Sequence, residues 1–308
     1  MHQQKRQPSE RHGTTLCNTL WTGNIMSIKK VFVSSVEGGY LIEADYSQLE
    51  IYILAHITKC PKLLEDLLSG VDLHVLRAAE LAGAVYEEYY AAYEARKAFA
   101  VAGRILAKQL SFQLQYGSAA KGMSNKLGIA YSVAEAFINN YYTRYPEIKQ
   151  WQDNLLREVK KNRKPGGIGN PLGTSQITSI TGRIYSFKEY ESEYYSPGFM
   201  PTEVKNYLVQ GLATGDVVPH MLGVLRRELL GWQTYEPKLI GTVHDSILID
   251  TCTDSLEEVM WIAKHVAGIL YLTPTHISEA FNIDFNIPLP FTIKVGLTWD
   301  DMKEIDYK

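Results

Sequence analysis

The sequence predicts an α+β fold whose small antiparallel sheet is gathered from distant parts of the chain. Three observations point there. Apolar runs rich in β-branched residues occur early ("KVFVSS", "YLIEADY"), late ("GTVHDSILID") and very late ("FTIKVGL"). Between them lies a long block with helical apolar spacing. The late run is interrupted by a polar pair, His244 and Asp245, as at the tip of a hairpin between two apolar strands. Strands grouped apart from helices suit α+β architecture. Such a sheet brings residues near 45 and 245 together. Carboxylates are seldom placed between buried strands unless something charged meets them there. Asp245 therefore needs a partner.

Taken in order, residues 1–23 are polar and predict a flexible N-terminal segment. "KVFVSS" predicts a strand, Gly38-Gly39 a turn and "YLIEADY" a second strand. From Ser47 the spacing predicts helices through "QLEIYILAHI", "KLLEDLLSG" and "LHVLRAAELAG". Tyr86 to Tyr116 contains no proline and only Gly103, and predicts one or two long helices. Helices near 132–144 and 147–162 follow. The stretch "RKPGGIGNPLGTSQITSITG" predicts loop. Pro201 opens a long helix reaching about Leu230. The hairpin, a helix near 254–270 and a last strand complete the chain. The expected organisation is a flexible segment 1–23, a sheet-bearing part 24–60, a helical part 61–200 and a second sheet-bearing part 201–308.

Hydrophobic content of 45% and charged content of 21% are those of an ordinary globular protein. A net charge of −3 gives no global attraction to nucleic acid, so a polyanion must be held by a local patch. Cys17, Cys60 and Cys252 lie far apart and form no metal-ligand spacing, consistent with a reducing compartment. No apolar run approaches the roughly 20 residues that span a bilayer, and the polar N-terminus lacks the apolar core of a secretory signal. The expectation is a cytoplasmic protein with no membrane partner.

In "EADYSQLE", Asp45 closes an apolar strand and Glu50 lies in the first turns of the next helix. Capping by Asp45 or Ser47 is one reading. Another pairs Asp45 with Asp245. Two converging carboxylates repel, and each would cost several kcal/mol if buried unpaired. Divalent cations remove that cost. Mg²⁺ favours a few carboxylates plus substrate phosphates, and a pair of such ions serves in-line displacement at phosphorus.

In "RILAKQLSFQLQYG", Arg104, Lys108, Phe112 and Tyr116 recur every four residues. Each step drifts only about 40° around a helix, so the four share one spiralling stripe. Two cations followed by two aromatics suit a nucleoside triphosphate, with phosphates on the cations and base or sugar on the rings. A snorkelling cation pair above core aromatics is the alternative. His74, Arg183, Asn206 and Gln210 are weaker candidates singly. Arg157, Lys160, Lys161, Arg163 and Lys164 form a basic run that also suits a solvated face.

Together these segments resemble the polymerase domain of family A DNA polymerases, the bacterial DNA polymerase I and bacteriophage group. "DYSQLE" is similar to that family's first catalytic motif, "RILAKQLSFQLQYG" to its nucleotide-binding fingers helix and "VHD" to its second catalytic motif. The resemblance runs from about Asn24 through "VGLTWDDM". It implies a polymerase palm with a small antiparallel sheet plus a helical fingers subdomain. It also implies DNA-directed DNA synthesis, with primer–template DNA and dNTPs as partners. Asp45, Asp245 and the backbone carbonyl of Tyr46 would hold two Mg²⁺ ions, with Mn²⁺ as a substitute. Arg104, Lys108 and His74 would meet the triphosphate, and Lys108 would also protonate the departing pyrophosphate. Phe112 and Tyr116 would form the nucleotide pocket, the phenylalanine going with rejection of dideoxynucleotides. Glu50 would act as a steric gate under the sugar. Gln48, Arg183, Asn206, Gln210 and His244 match positions that touch the nucleotide or primer–template.

The chain departs from the pattern at Ser246, where the family usually has glutamate, at Tyr52 in place of arginine and at Gln113 in place of glycine. Only 44 residues precede Asp45, where the family carries a thumb and any exonuclease domain. This raises the expectation of a second chain supplying thumb and exonuclease, as in a split bacteriophage polymerase acting in the host cytoplasm, or of a trimmed enzyme. A non-catalytic primer–template-binding subunit and a His-Asp metal-dependent phosphohydrolase are the rival readings.

Overall fold

The computed structural model describes residues 27–115, 117–167, 172–191, 198–230 and 236–307. After a 3₁₀ turn over Ile28–Val31, strand β1 (Leu41–Tyr46) leads into helices α1 (Leu49–Thr58), α2 (Pro61–Leu68), α3 (Leu73–Ala82) and α4 (Tyr86–Glu94). Helices α5 (Ala98–Gln115), α6 (Ala120–Leu127), α7 (Tyr131–Arg144) and α8 (Pro146–Lys161) follow. Then come strands β2 (Thr174–Thr178), β3 (Ile184–Tyr190) and β4 (Gly198–Phe199). Helix α9 (Pro201–Gln210) runs through a π-helical stretch, Gly211–Val217, into α10 (Val218–Leu229). The hairpin β5 (Lys238–Val243) and β6 (Ser246–Asp250), helices α11 (Leu256–Tyr271) and α12 (Thr273–Phe281), and strands β7 (Phe291–Gly296) and β8 (Lys303–Glu304) complete the order.

The main sheet is ordered β5-β6-β1-β7-β8, and its paired strands are antiparallel. Strands distant in sequence thus meet, as the α+β prediction requires. Asp45 stands opposite Ser246 on one side and Thr292 on the other. Side chains alternate along a strand, so Ile42 and Ala44 turn inward with Ile247, Ile249, Ile293 and Val295. All six are buried in the main core. Each fully buried aliphatic chain contributes roughly 1.5–3 kcal/mol. Glu43 and Asp45 therefore leave by the other face.

The helical block has its own cores. Val75, Ala78, Ala79, Ala100 and Ala107 form a small-residue seam in which α3 and α5 pack closely. Leu110, Leu114, Met123, Ala134 and Phe137 join α5, α6 and α7. One ionic cluster ties α2 to α7 and α3. Asp66 accepts from Arg144 Nε and Nη2, both at 2.7 Å, and from the Tyr145 hydroxyl at 2.8 Å. Arg144 also donates to Glu80 at 3.1 Å. Burial by itself would raise the Asp66 pKa, but these donors outweigh it and hold the carboxyl below its usual range.

Some elements differ from the sequence reading. "KVFVSS" forms the 3₁₀ turn and an isolated Val33–Thr298 bridge, not a strand, and Val31 and Val33 stay exposed. The stretch read as loop contains β2, whose Ser175 and Ile177 are buried while Thr174, Gln176 and Thr178 are exposed. That alternation was masked by the surrounding Gly and Pro. The helical run over residues 86–115 breaks near Arg96, which adopts a left-handed φ of 55°. α6, α12 and β8 are short, and the sequence reading gave them no element. The Pro201–Leu229 helix matches a bilayer span in length and composition. Half of its most apolar stretch is buried within the protein, and it contains Asp216, itself buried.

Candidate active site at the acidic turn

Val243 pairs with Ser246, so His244 and Asp245 form a two-residue hairpin turn at the end of β5 and β6. The Tyr46 N–H donates to the Asp245 carbonyl at 3.3 Å, locking the turn beside the end of β1. The two aspartates, far apart in sequence, thereby become neighbours. Burial and then the Asp245 charge raise the Asp45 pKa. Two further residues here are left-handed without being glycine: Gln48 at φ 56° and His244 at φ 57°. Such conformations cost about 1–3 kcal/mol each and gather at functional sites.

A cleft of about 420 Å³ opens beside this turn. It is lined by Gln48, Leu49, Glu50 and Ile51 at the start of α1, His74 of α3, Lys108, Ser111, Phe112 and Gln115 of α5, Thr214, and His244 with Asp245. Lys108 Nζ lies 5.9 Å from the Phe112 ring centre. Phe112 is 44% exposed, which leaves a ring face free for a ligand. Gln115 donates to Glu50. Burial and then the Asp245 charge push the Glu50 pKa up. His74 is held neutral, its pKa pushed down to about 4 by burial and then by Arg77.

Of the residues singled out in the sequence, Gln48, Glu50, His74, Lys108, Phe112, His244 and Asp245 line one cleft. Arg104 does not: its Nε donates to Asp72 at 2.7 Å, and its guanidinium lies over Tyr93. Asp72 caps α3 through the His74 and Val75 N–H groups. Arg183 is likewise engaged, donating from Nε to Asp216 at 2.9 Å and from Nη2 to the Gly215 carbonyl at 2.8 Å. Asn206 donates to Gln210 at 3.2 Å, one turn along α9. Tyr116 lies outside the described residues. Gly117, which follows it, has φ 76°, and a Cβ there would stand 2.8 Å from Thr202 Cα, so only glycine fits.

The sequence reading missed Ser111 and Gln115. They lie three and seven residues after Lys108, which is helical spacing and was a usable signal. Thr214 carried none, because the π-helical stretch shifts its phase. Glu43 was also missed; it accepts from Trp299, Ser246 and Lys294. Burial would raise its pKa, yet these donors bring it below the usual value.

Among the described residues, no three His, Cys, Asp or Glu side chains gather around one point. The available donors are the Asp45 and Asp245 carboxylates, hard oxygens whose mutual repulsion a divalent cation would relieve. This donor set fits a cation completed by substrate oxygens better than a full protein cage.

The sequence pattern of DNA polymerase family A matches residues 20–301. The chain belongs to that family. It is similar to DNA polymerase I of Streptococcus pneumoniae (strain ATCC BAA-255 / R6), 28% identical over 90% of this chain and 28% of the relative. DNA polymerase I of Geobacillus stearothermophilus is 27% identical over 90% of this chain and 28% of its own length. That of Helicobacter pylori (strain ATCC 700392 / 26695) is 29% identical over 90% and 27%. The chain thus spans little more than a quarter of these family A relatives. Its fold is similar to a solved structure described as the POL domain of Pol1 from M. smegmatis in complex with DNA primer-template and dNTP. That likeness has a TM-score of 0.62 and 20% identity, covering 89% of this chain and 42% of the other. The family A fold agrees with the palm-like sheet and helical block described above.

Proposed function

We propose that this chain carries the catalytic part of a template-directed DNA polymerase, transferring deoxynucleotides from dNTPs to a primer 3′-hydroxyl. The carrying observation is one cleft that joins the acidic turn to the cation–aromatic stripe of α5 and to His74. The solved relative with primer-template and dNTP supports DNA and dNTPs as the partners.

Asp45, Asp245 and the Tyr46 carbonyl would hold Mg²⁺, as a pair of ions with Mn²⁺ as a substitute. A cation held there would supply Lewis acidity toward the 3′-hydroxyl and positive charge toward the pyrophosphate. The protein's share is positioning and electrostatics. Lys108 neutralises the triphosphate and donates a proton to the leaving pyrophosphate. Neutral His74 donates a hydrogen bond to a phosphate oxygen. Phe112 packs against the base or sugar. Glu50, fixed by Gln115, crowds the position of a 2′-hydroxyl. Arg104 and Arg183 join phosphates only by exchanging their partners Asp72 and Asp216.

Because the chain spans so little of its relatives, we propose that part of the grip on duplex DNA comes from polypeptide beyond this sequence, on the same chain or a second one. The setting would be the cytoplasm, including that of a phage-infected host. The test is primer extension at low salt with Mg²⁺ and separately Mn²⁺, with Asp245→Asn as the control. Extension lost in the variant supports the reading. Primer–template binding without extension, even with added thumb-bearing polypeptide, favours the binding-subunit reading motivated by Ser246.

A further inference from the structure

The polar face of the main sheet carries a third carboxylate beside the aspartate pair. Glu43 stands two residues before Asp45 on β1, so both leave the strand on the same side. It is only 7% exposed, yet three donors reach it. Its Oε1 accepts from Trp299 Nε1 at 2.7 Å and from Ser246 Oγ at 3.1 Å, and its Oε2 accepts from Lys294 Nζ at 3.2 Å. Nothing in the motif resemblance assigns Glu43, Lys294 or Trp299 a role.

The register explains why this matters. Lys294 lies directly opposite Glu43, whereas Asp45 faces Thr292, which makes Lys294 the diagonal neighbour of Asp45. Diagonal pairs lie about 7–8 Å apart, within reach of a long side chain. Lys294 thus has two carboxylates within range. Lys29, stacked 4.4 Å over the Trp299 ring, is a second ammonium nearby. An ammonium paired to Asp45 would occupy the oxygens a divalent cation needs. Ser246 follows Asp245 directly, so its hydrogen bond to Glu43 also fixes where the acidic turn ends.

We propose that Glu43 is a positioning residue: it holds Lys294 as an ion pair and Ser246 as a hydrogen-bond partner, which keeps the Asp45 carboxylate open to a divalent cation. The proposal rests on the reading of Asp45 and Asp245 as the cation-binding pair. Glu43 itself has too few free lone pairs to serve as a main ligand. Its effect is to decide which partner Lys294 takes.

The test is Mn²⁺ affinity of the whole chain without DNA, read from the electron paramagnetic resonance signal of free Mn²⁺. Thermal unfolding of each variant checks its fold. Glu43→Gln should weaken Mn²⁺ binding about tenfold, because Lys294 swings to Asp45. The double variant Glu43→Gln with Lys294→Met should return to within about twofold of the unmodified chain. Should Glu43→Gln fail to fold, Glu43→Asp replaces it. That shorter carboxylate should give a smaller loss, again relieved by Lys294→Met. Unchanged affinity in the Glu43 variant overturns the proposal. So does a loss that Lys294→Met does not relieve, since the carboxylate would then act on the cation directly. Asp45→Asn separates the underlying reading: if it binds Mn²⁺ like the unmodified chain, the aspartate pair is not the cation site and both claims fall.

Discussion

Asp245 is held by a backbone hydrogen bond from Tyr46 at the tip of a two-residue hairpin, so its place does not depend on its own side-chain contacts. Asp245→Asn should therefore leave the fold intact while lowering primer extension by ~10³-fold, about 4 kcal/mol of transition-state stabilisation. Single-turnover extension with matched unfolding curves checks both halves. Among the described residues no carboxylate pairs with Lys108, which sits above Phe112 and faces the cleft where a phosphate would lie. Lys108→Ala should raise the KM for dNTP and lower kcat by roughly 10²-fold, the scale of one general acid. Phe112 presents an exposed ring to the same cleft. Phe112→Tyr adds a hydroxyl there, and the incorporation ratio of dideoxy- to deoxynucleotide should rise at least ~10-fold, about 1.4 kcal/mol.

Among the elements, the joint between α2 and α7 offers a sharp test. The folded-state pKa of Asp66 lies below its ordinary value, because Arg144 and Tyr145 donate to the carboxylate. A depressed carboxyl pKa contributes stability that is present above the unfolded value of ~3.9 and is lost as pH falls through the folded value. Asp66→Asn should thus destabilise by about 2–3 kcal/mol at neutral pH. The gap should close below roughly pH 4. Denaturant unfolding across that range reads it directly. The same element-level view explains Arg104. Each four-residue step along α5 drifts about 40°. The stripe that faces the cleft at Phe112 and Lys108 has therefore turned away by Arg104, which meets Asp72 on α3 instead.

At the scale of the whole molecule the net charge is −3, Arg104 and Arg183 are paired to aspartates, and among the described residues Lys108 is the one lysine or arginine lining the cleft. Binding of primer–template by this chain should accordingly be weak. It should also fall roughly 10- to 100-fold between ~50 and ~200 mM salt, the slope of a few phosphate contacts. Fluorescence anisotropy against salt measures that slope. A flat salt response would point to recognition by stacking and shape rather than by phosphates.

The motif segments "DYSQLE", "RILAKQLSFQLQYG" and "VHD" were legible because local spacing alone puts chemistry-bearing side chains at a strand end, on one helix stripe and in a hairpin turn. The strand pattern likewise specified an antiparallel sheet closed by distant pieces. What the sequence could not reveal were the partners brought in from far along the chain. Asp72 lies 32 residues from Arg104, and Asp216 lies 33 from Arg183. Their pairing takes one expected triphosphate ligand, Arg104, and one expected primer–template contact, Arg183, out of immediate reach. Glu43 and Lys294 lie 251 residues apart and meet only through the β1–β7 register. Residue type and period determined which side chains face the cleft side of each element. Only the tertiary packing decided which of those charges are free and which already hold one another, because an ion pair depends on distance in space, and neighbouring residues along the chain do not set it.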